Sequence, residues 1–293
     1  MFSRSERSPF MDRPISAKAE NASGRTGSWP LRVHTLGAFV LEVRGRPLHF
    51  AGKLPRRPLA LLKVVIALGA RRVPEVAIAD ALWPDADADS ALGCLTVALH
   101  RLRALLDGMP ALERRGGALS LNADVVWTDV WALQEFGADC RVGVETDFGC
   151  LFSMYGGPFL AADVDATWAV ACRERLRARF VELVRQLALV HERNGDPTDT
   201  EMVWLRALDA EPELEPLYFG LMQSQVRTGR SDAALEVYRR CHATLTAAGR
   251  APSHRLRDLA EQLVRSAEDA RPSVSMPSSM GRHPQTGTSY AAR

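Results

Sequence analysis

Apolar positions along the chain change period three times, and each change predicts a different element. From Leu31 to Gly52 they mostly alternate, through Leu31, Val33, Leu36, Phe39, Leu41 and Val43, with breaks at Gly37 and Arg44-Gly45-Arg46. Alternation of this kind predicts a small antiparallel sheet. From Arg56 to Ala70 the spacing becomes helical, with Leu59, Leu62, Val65, Ile66 and Gly69 on one face and Gly69 as a stop. A short basic link leads to PEVAIADALWP, where Pro74 and Pro84 bracket a short helix.

The segment DADADS then opens the most informative helix, Ser90 to Gly108. Leu92, Leu95, Leu99, Leu102 and Leu106 recur at spacings of three and four and form one stripe. The opposite face carries Gly93, Cys94, Val97, His100, Arg101 and Ala104. It is small, nearly free of acid, and positive toward its C-terminal end. Periodicity leaves two readings open, a helix buried on all sides or one whose second face meets another surface, a polyanion above all. Asp85, Asp87 and Asp89 precede it, where an acid favours the helix dipole and can cap the first turn.

Ala111 to Asp129 holds two short apolar runs around Arg114-Arg115-Gly116-Gly117. Gly-Gly allows the positive φ angles of a tight hairpin, so this reads as a wing with two arginines at its tip. The order of sheet, long helix, short helix, turn, long helix and hairpin has the proportions of a helix-turn-helix with a wing.

Beyond Phe159 the chain turns helical and rich in Leu, Ala, Arg and Glu. Gly195 and Gly229 lie 34 residues apart, as do Trp204 and Tyr238. That period, with a turn glycine followed by a helix carrying an aromatic residue, fits tetratricopeptide-like hairpins. It predicts that Trp204 and Tyr238 occupy equivalent buried positions.

At 293 residues the chain has room for two domains, and its net charge of +2 confines any nucleic-acid patch to a local surface. Residues 1–29, rich in Ser, Arg and Pro, and residues 271–293 are expected to be disordered tails. No stretch has signal-peptide or membrane-span character, so no membrane partner is expected. Five cysteines, Cys94, Cys140, Cys150, Cys172 and Cys241, form no CxxC pair and suggest reduced thiols in a cytoplasm.

Catalytic and metal chemistry find no constellation. AGKL at Ala51–Leu54 lacks the first glycine and the hydroxyl residue of a phosphate-binding loop, for Pro47 and Leu54 stand there. The three aspartates imitate half of a calcium loop, but Ser90 replaces its glycine and Thr96 its glutamate. There is no HExxH, no His/Cys cluster and no GxSxG. The expectation is a protein that is not an enzyme and takes no cofactor or metal.

Taken in chain order, GRPLHF, RRPLALLKVVIALGA, ADALWPDADADSA and LHRLRALL resemble an OmpR-type winged helix over about Leu31 to Asp129, and more narrowly the DNA-binding half of regulators with a bacterial transcriptional activator domain. Gly156 to Val184 resembles the start of that activator domain, and Leu214 to Cys241 its most recognisable part. The resemblance implies a mainly α fold with a small β component, an OmpR-type winged helix at residues 30–131 followed by an all-α, tetratricopeptide-like domain at 132–270. It implies a sequence-specific transcription regulator, an activator, that binds double-stranded DNA with its third helix in the major groove and its hairpin in the minor groove.

By the same resemblance, base contacts fall to Val97, His100 and Arg101, with Arg103 beside them on phosphate. Val97 suits a thymine methyl and Arg101 a guanine. Arg115, with Arg114, matches the wing arginine that enters the minor groove. Lys53, Arg56 and Arg57 would grip phosphate, which positions without specifying. The helical half would serve self-association or contact with RNA polymerase, in the cytoplasm and on the nucleoid. Gly93 and Cys94 depart from the polar or basic residues common at those positions. That departure and the low net charge favour the rival reading, a helical scaffold or adaptor that binds no DNA.

Overall fold

The computed structural model describes residues 29–50, 54–136 and 144–269. The expected tails apart from Trp29, and Lys53 and Cys140, lie outside the described residues; Trp29, expected in the disordered tail, is half-buried and its Nε1 donates to the Ala123 carbonyl at 3.2 Å. The chain opens with β1 (Leu31–His34), β2 (Val40–Val43) and β3 (Arg46–Pro47), an antiparallel meander with Leu31 opposite Val43 and Glu42 opposite Pro47. Arg44 and Gly45 both take positive φ, the geometry of a two-residue hairpin turn.

Three helices follow, α1 (Arg56–Ala67), α2 (Glu75–Leu82) and α3 (Ala88–Leu105). Gly69, at φ +113°, turns the chain out of α1 as its position suggests. The helix is more deeply buried than one amphipathic face would require. Pro58, Leu59, Leu61, Leu62 and Val64 through Ala67 are all covered. The second sheet is β4 (Val73–Pro74) with β5 (Leu112–Arg115) and β6 (Ala118–Leu121), in the order β4-β6-β5. Gly116 and Gly117, at φ +57° and +70°, make the expected tight turn between β5 and β6.

One strand escapes the sequence pattern. Residues Val126–Thr128 form β7, which pairs in parallel with β1, Leu31 opposite Val126, and gives a four-stranded sheet ordered β3-β2-β1-β7. Directly after it, α4 (Asp129–Glu135) runs through position 131, where the sequence places a domain boundary.

The helical half comprises α5 (Val144–Met154), α6 (Val170–Arg193), α7 (Pro197–Ala210), α8 (Glu215–Arg227), α9 (Ser231–Ala247) and α10 (His254–Asp269). The 34-residue period is real in the backbone. Gly195 ends α6 as Gly229 ends α8, and in each case the next amide bonds back five residues, Asp196 to His191 at 3.2 Å and Arg230 to Gln225 at 2.8 Å. The side chains obey it less well. Trp204 on α7 is buried, 3% exposed, but Tyr238 on α9 is only half-buried, because it stands at the rim of an open groove between α9 and α10. Trp204 instead has its counterpart in a gap, for its ring lies where a Cβ on Gly220 of α8 would sit, 2.2 Å away.

The described residues of the two halves meet along a packed seam. Leu160 N–H donates to the Thr35 carbonyl at 2.8 Å, Gly37 N–H to Pro158 at 3.1 Å, and Leu36 bridges Phe159. Gly37, at φ +104°, allows this approach, since a Cβ there would meet Gly156 at 3.1 Å. Lys63 of α1 pairs with Asp163 at 2.6 Å. Arg179 of α6 donates to the carbonyls of Leu133, Gln134 and Phe136 at the open end of α4. At the other end of α4, the buried Asp129 carboxylate accepts from Thr35 N at 2.5 Å, Thr35 Oγ1 at 2.7 Å and Leu36 N at 2.7 Å. Burial pushes this carboxyl up, against the same donors, which favour its ionised form.

Candidate nucleic-acid interface

Everything on α3 follows from its two faces. Ala91, Leu95, Ala98, Leu99 and Leu102 are buried, Leu106 just past the helix is 1% exposed, and Leu92 packs against the core. Gly93, Cys94, Thr96, Val97, His100, Arg101, Arg103 and Ala104 are exposed. The helix is therefore not packed all round. Val97 is 49% exposed, an uncommon state for a β-branched apolar residue at mid-helix. His100, Arg101 and Arg103 make no hydrogen bond or ion pair with any described residue. Asp87 caps the helix by accepting from Ser90 N at 2.9 Å, and that bond holds its carboxyl below the ordinary range. Its charge is thus turned onto the helix terminus and away from the exposed face.

Roughly 100° per residue separates the exposed cations around the helix. Arg101 lies on one side of Val97 and His100 on the other, with Arg103 further round beside Thr96. The wing reaches this second edge, where Arg114 Nη1 donates to Thr96 Oγ1 at 3.4 Å. Arg115, next along β5, points the other way and is 85% exposed, with Glu113 3.2 Å from it.

Arg114 and Arg57 have structural partners that their sequence context does not announce. Arg114 lays its guanidinium on the Glu75 carboxylate as a two-pronged fork, Nε to Oε1 at 2.7 Å and Nη2 to Oε2 at 2.6 Å. Glu75 raises the Arg114 pKa further. Arg57 donates to the Leu82 carbonyl at 2.9 Å and stacks over Trp83, 5.8 Å from the ring centre, which ties the start of α1 to the end of α2. Its polar contact is with the Leu82 carbonyl. Arg56 is exposed, and Lys53 lies outside the described residues. Pro74 followed by Glu75 at a helix start was the one visible hint of a buried acid in need of a partner.

Among the described residues no group of three or more His, Cys, Asp or Glu side chains could hold a metal, and no helix is long and apolar enough to cross a membrane. What the site offers is recognition. It presents a narrow helical face with an apolar centre and cationic flanks, beside a hairpin with an outward arginine.

Residues 146–264 match the family described as bacterial transcriptional activator domain. The helical half is thus similar to that domain over the matched residues. The matched range begins within α5 and ends within α10, so this domain takes in both 34-residue hairpins. Among solved structures, Mycobacterium tuberculosis EmbR in complex with a low-affinity phosphopeptide superposes with a TM-score of 0.55 at 20% identity. The match covers 82% of this chain and 66% of that one, so the present chain spans just under two thirds of EmbR's length. It therefore extends well in front of the activator domain, into the winged helix. No curated protein matches the chain.

Proposed function

We propose that this chain is a sequence-specific transcriptional activator that binds double-stranded DNA through residues 30–131. In this reading α3 lies in the major groove, with Val97, His100 and Arg101 toward base edges. Arg103 and Arg56, with Lys53, contact phosphate, and the hairpin enters the minor groove. Residues 132–270 make protein contacts, with a second copy or with RNA polymerase, and the protein works in the cytoplasm on the nucleoid.

One observation carries the reading. The face of α3 opposite its buried stripe is exposed, carries no acid beyond Asp89 in the first turn, and holds three unpartnered basic side chains. A scaffold helix has no need to leave such charges unpaired, whereas phosphate and base edges would satisfy them. The activator domain supports the regulatory role, and the EmbR-like fold supports a winged helix as the DNA-binding part.

The test is selection of duplex DNA from a random pool by the full chain, followed by genome-wide mapping of bound sites. A recurrent motif, bound at least about a thousandfold more tightly than random duplex, is the expected outcome. Enrichment of no motif would sink the proposal in favour of the scaffold reading.

A further inference from the structure

We propose that Arg114 is a brace that sets the angle of the wing against α2 and α3, and that Arg115 is the wing's cation for the minor groove. The first half stands on the geometry alone, and the second rests on the DNA-binding reading.

The start of α2 and the wing are joined three times. Val73 and Pro74 pair with β6, opposite Leu119 and Ala118. Glu75 N–H donates to the Gly117 carbonyl at 2.9 Å, inside the wing turn. The Glu75 side chain, 7% exposed, accepts the fork of Arg114, whose third nitrogen reaches Thr96 on α3. One guanidinium thus touches the short helix and the long helix from a position on the wing.

To grip a phosphate, Arg114 would have to leave a buried carboxylate unpaired, an arrangement proteins avoid strongly. Strand alternation puts Arg115 on the opposite face of β5, where the half-buried Glu113 is its one partner among the described residues. The brace therefore fixes the distance between what α3 touches and what the hairpin tip touches. A DNA site read in both grooves would then require one spacing between the two contacts.

Hydrogen exchange on the full chain without DNA tests the brace. In Glu75→Gln and Arg114→Lys, which keep the side-chain volumes but lose the charged fork, amides of residues 112–121 should exchange about tenfold faster, while those of α6 to α9 stay as in wild type. Unchanged exchange in the wing would overturn the brace. So would a rise spread equally over α6 to α9, because the pair would then be supporting the whole fold.

Titration of a DNA duplex selected by the wild-type chain tests the division of labour by sign. If Arg114 were a DNA ligand, Glu75→Gln would release it and remove a competing acid, and binding would tighten. The brace requires the opposite, a loss of about three- to tenfold despite the lost negative charge. Arg115→Ala should lower the salt slope by about one, and Arg114→Lys should leave the slope unchanged. Tighter binding by Glu75→Gln, or an unchanged slope in Arg115→Ala, would refute the assignment. If the wild-type chain selects no duplex, the DNA-binding reading and the role of Arg115 fall together, and the exchange result decides the brace by itself.

Discussion

The two halves of this chain differ in where their arginines are paired. In the helical half many guanidinium groups hold a carboxylate. Arg177 pairs with Glu174 and with the buried Glu211, Arg227 with Glu192, Arg230 with Glu201, Arg185 with Glu182 and Arg239 with Glu236. Some of these pairs tie one helix to another, as Arg230 of the α9 N-terminus does with Glu201 of α7. On α3 of the winged helix, Arg101 and Arg103 have no such partner among the described residues, and at the wing tip Arg115 has only the half-buried Glu113. Exposed pairs add little stability, so the difference is not mainly one of fold energy. It is one of availability. A side chain already holding a carboxylate must break that contact before it can hold a phosphate, and one facing water need not. Net charge, at +2, conceals this completely.

The strongest way to probe the contrast is to empty the helical half and ask whether the free face survives. Trp204→Ala should destabilise the protein by roughly 3–5 kcal/mol, the scale for removing a buried aromatic side chain. The seam joins the halves through Lys63, Arg179 and the Thr35 carbonyl, which accepts from Leu160 N–H. A thermal scan should therefore show a single transition moved down as a unit, with tryptophan fluorescence and far-UV circular dichroism in step. Two separated transitions would mean that the seam does not couple the halves.

Asp129→Ala attacks the seam from the winged-helix side. It strands the amides of Thr35 and Leu36 and should cost about 1–3 kcal/mol in chemical denaturation. Asp129→Asn, which retains an acceptor, should recover part of that loss. Equal stability of Asp129→Ala and wild type would show that water replaces the carboxylate.

Next in size is the free face itself. Arg101→Ala should leave the melting curve unchanged and weaken binding to the preferred duplex by about 1–3 kcal/mol, with relaxed preference at one base step. Arg103→Ala should weaken all duplexes alike and lower the salt slope by about one. Identical behaviour of the two variants would erase the distinction between base reading and backbone grip drawn from their places on α3.

The smallest effect concerns the cap of α3. Folding lowers the Asp87 pKa, so its contribution is present above the ordinary carboxylate value and is lost as pH falls through the lowered one. Amide exchange at Ser90 and Ala91 should quicken below about pH 4 in wild type and be already fast in Asp87→Ala. Unaltered exchange in the variant would assign the start of the helix to packing alone.

Legibility in the sequence followed the range of the interaction. The stripe on α3, the Asp87 cap, the glycine stop after α1 and the Gly116-Gly117 turn were all readable, because each is decided by residues within a few positions. Strand β7 was not, since Val126–Thr128 is three residues long and acquires strand character only from β1 at the other end of the winged helix. The forks of Arg114 on Glu75 and of Arg179 on the end of α4 were hidden for the same reason, as was the seam. The sequence period correctly matched Trp204 to Tyr238 in the backbone. Only tertiary packing could show that a glycine on α8 makes room for the first while the second edges an open groove.

The parallel pairing of β1 with β7 also sets an order in time. During synthesis β1 and its hairpin partner β2 leave the ribosome first, yet Thr35 finds the carboxylate that satisfies it 94 residues later, at Asp129. Until then the first sheet carries an open edge, and closing so long a loop is slow compared with forming the helices between. The helices α1 to α3 can condense meanwhile, but the frame that holds them is completed only when β7 arrives. A nascent chain stalled before residue 126 should therefore be open to protease attack at its N-terminal strands. One released past α4 should resist.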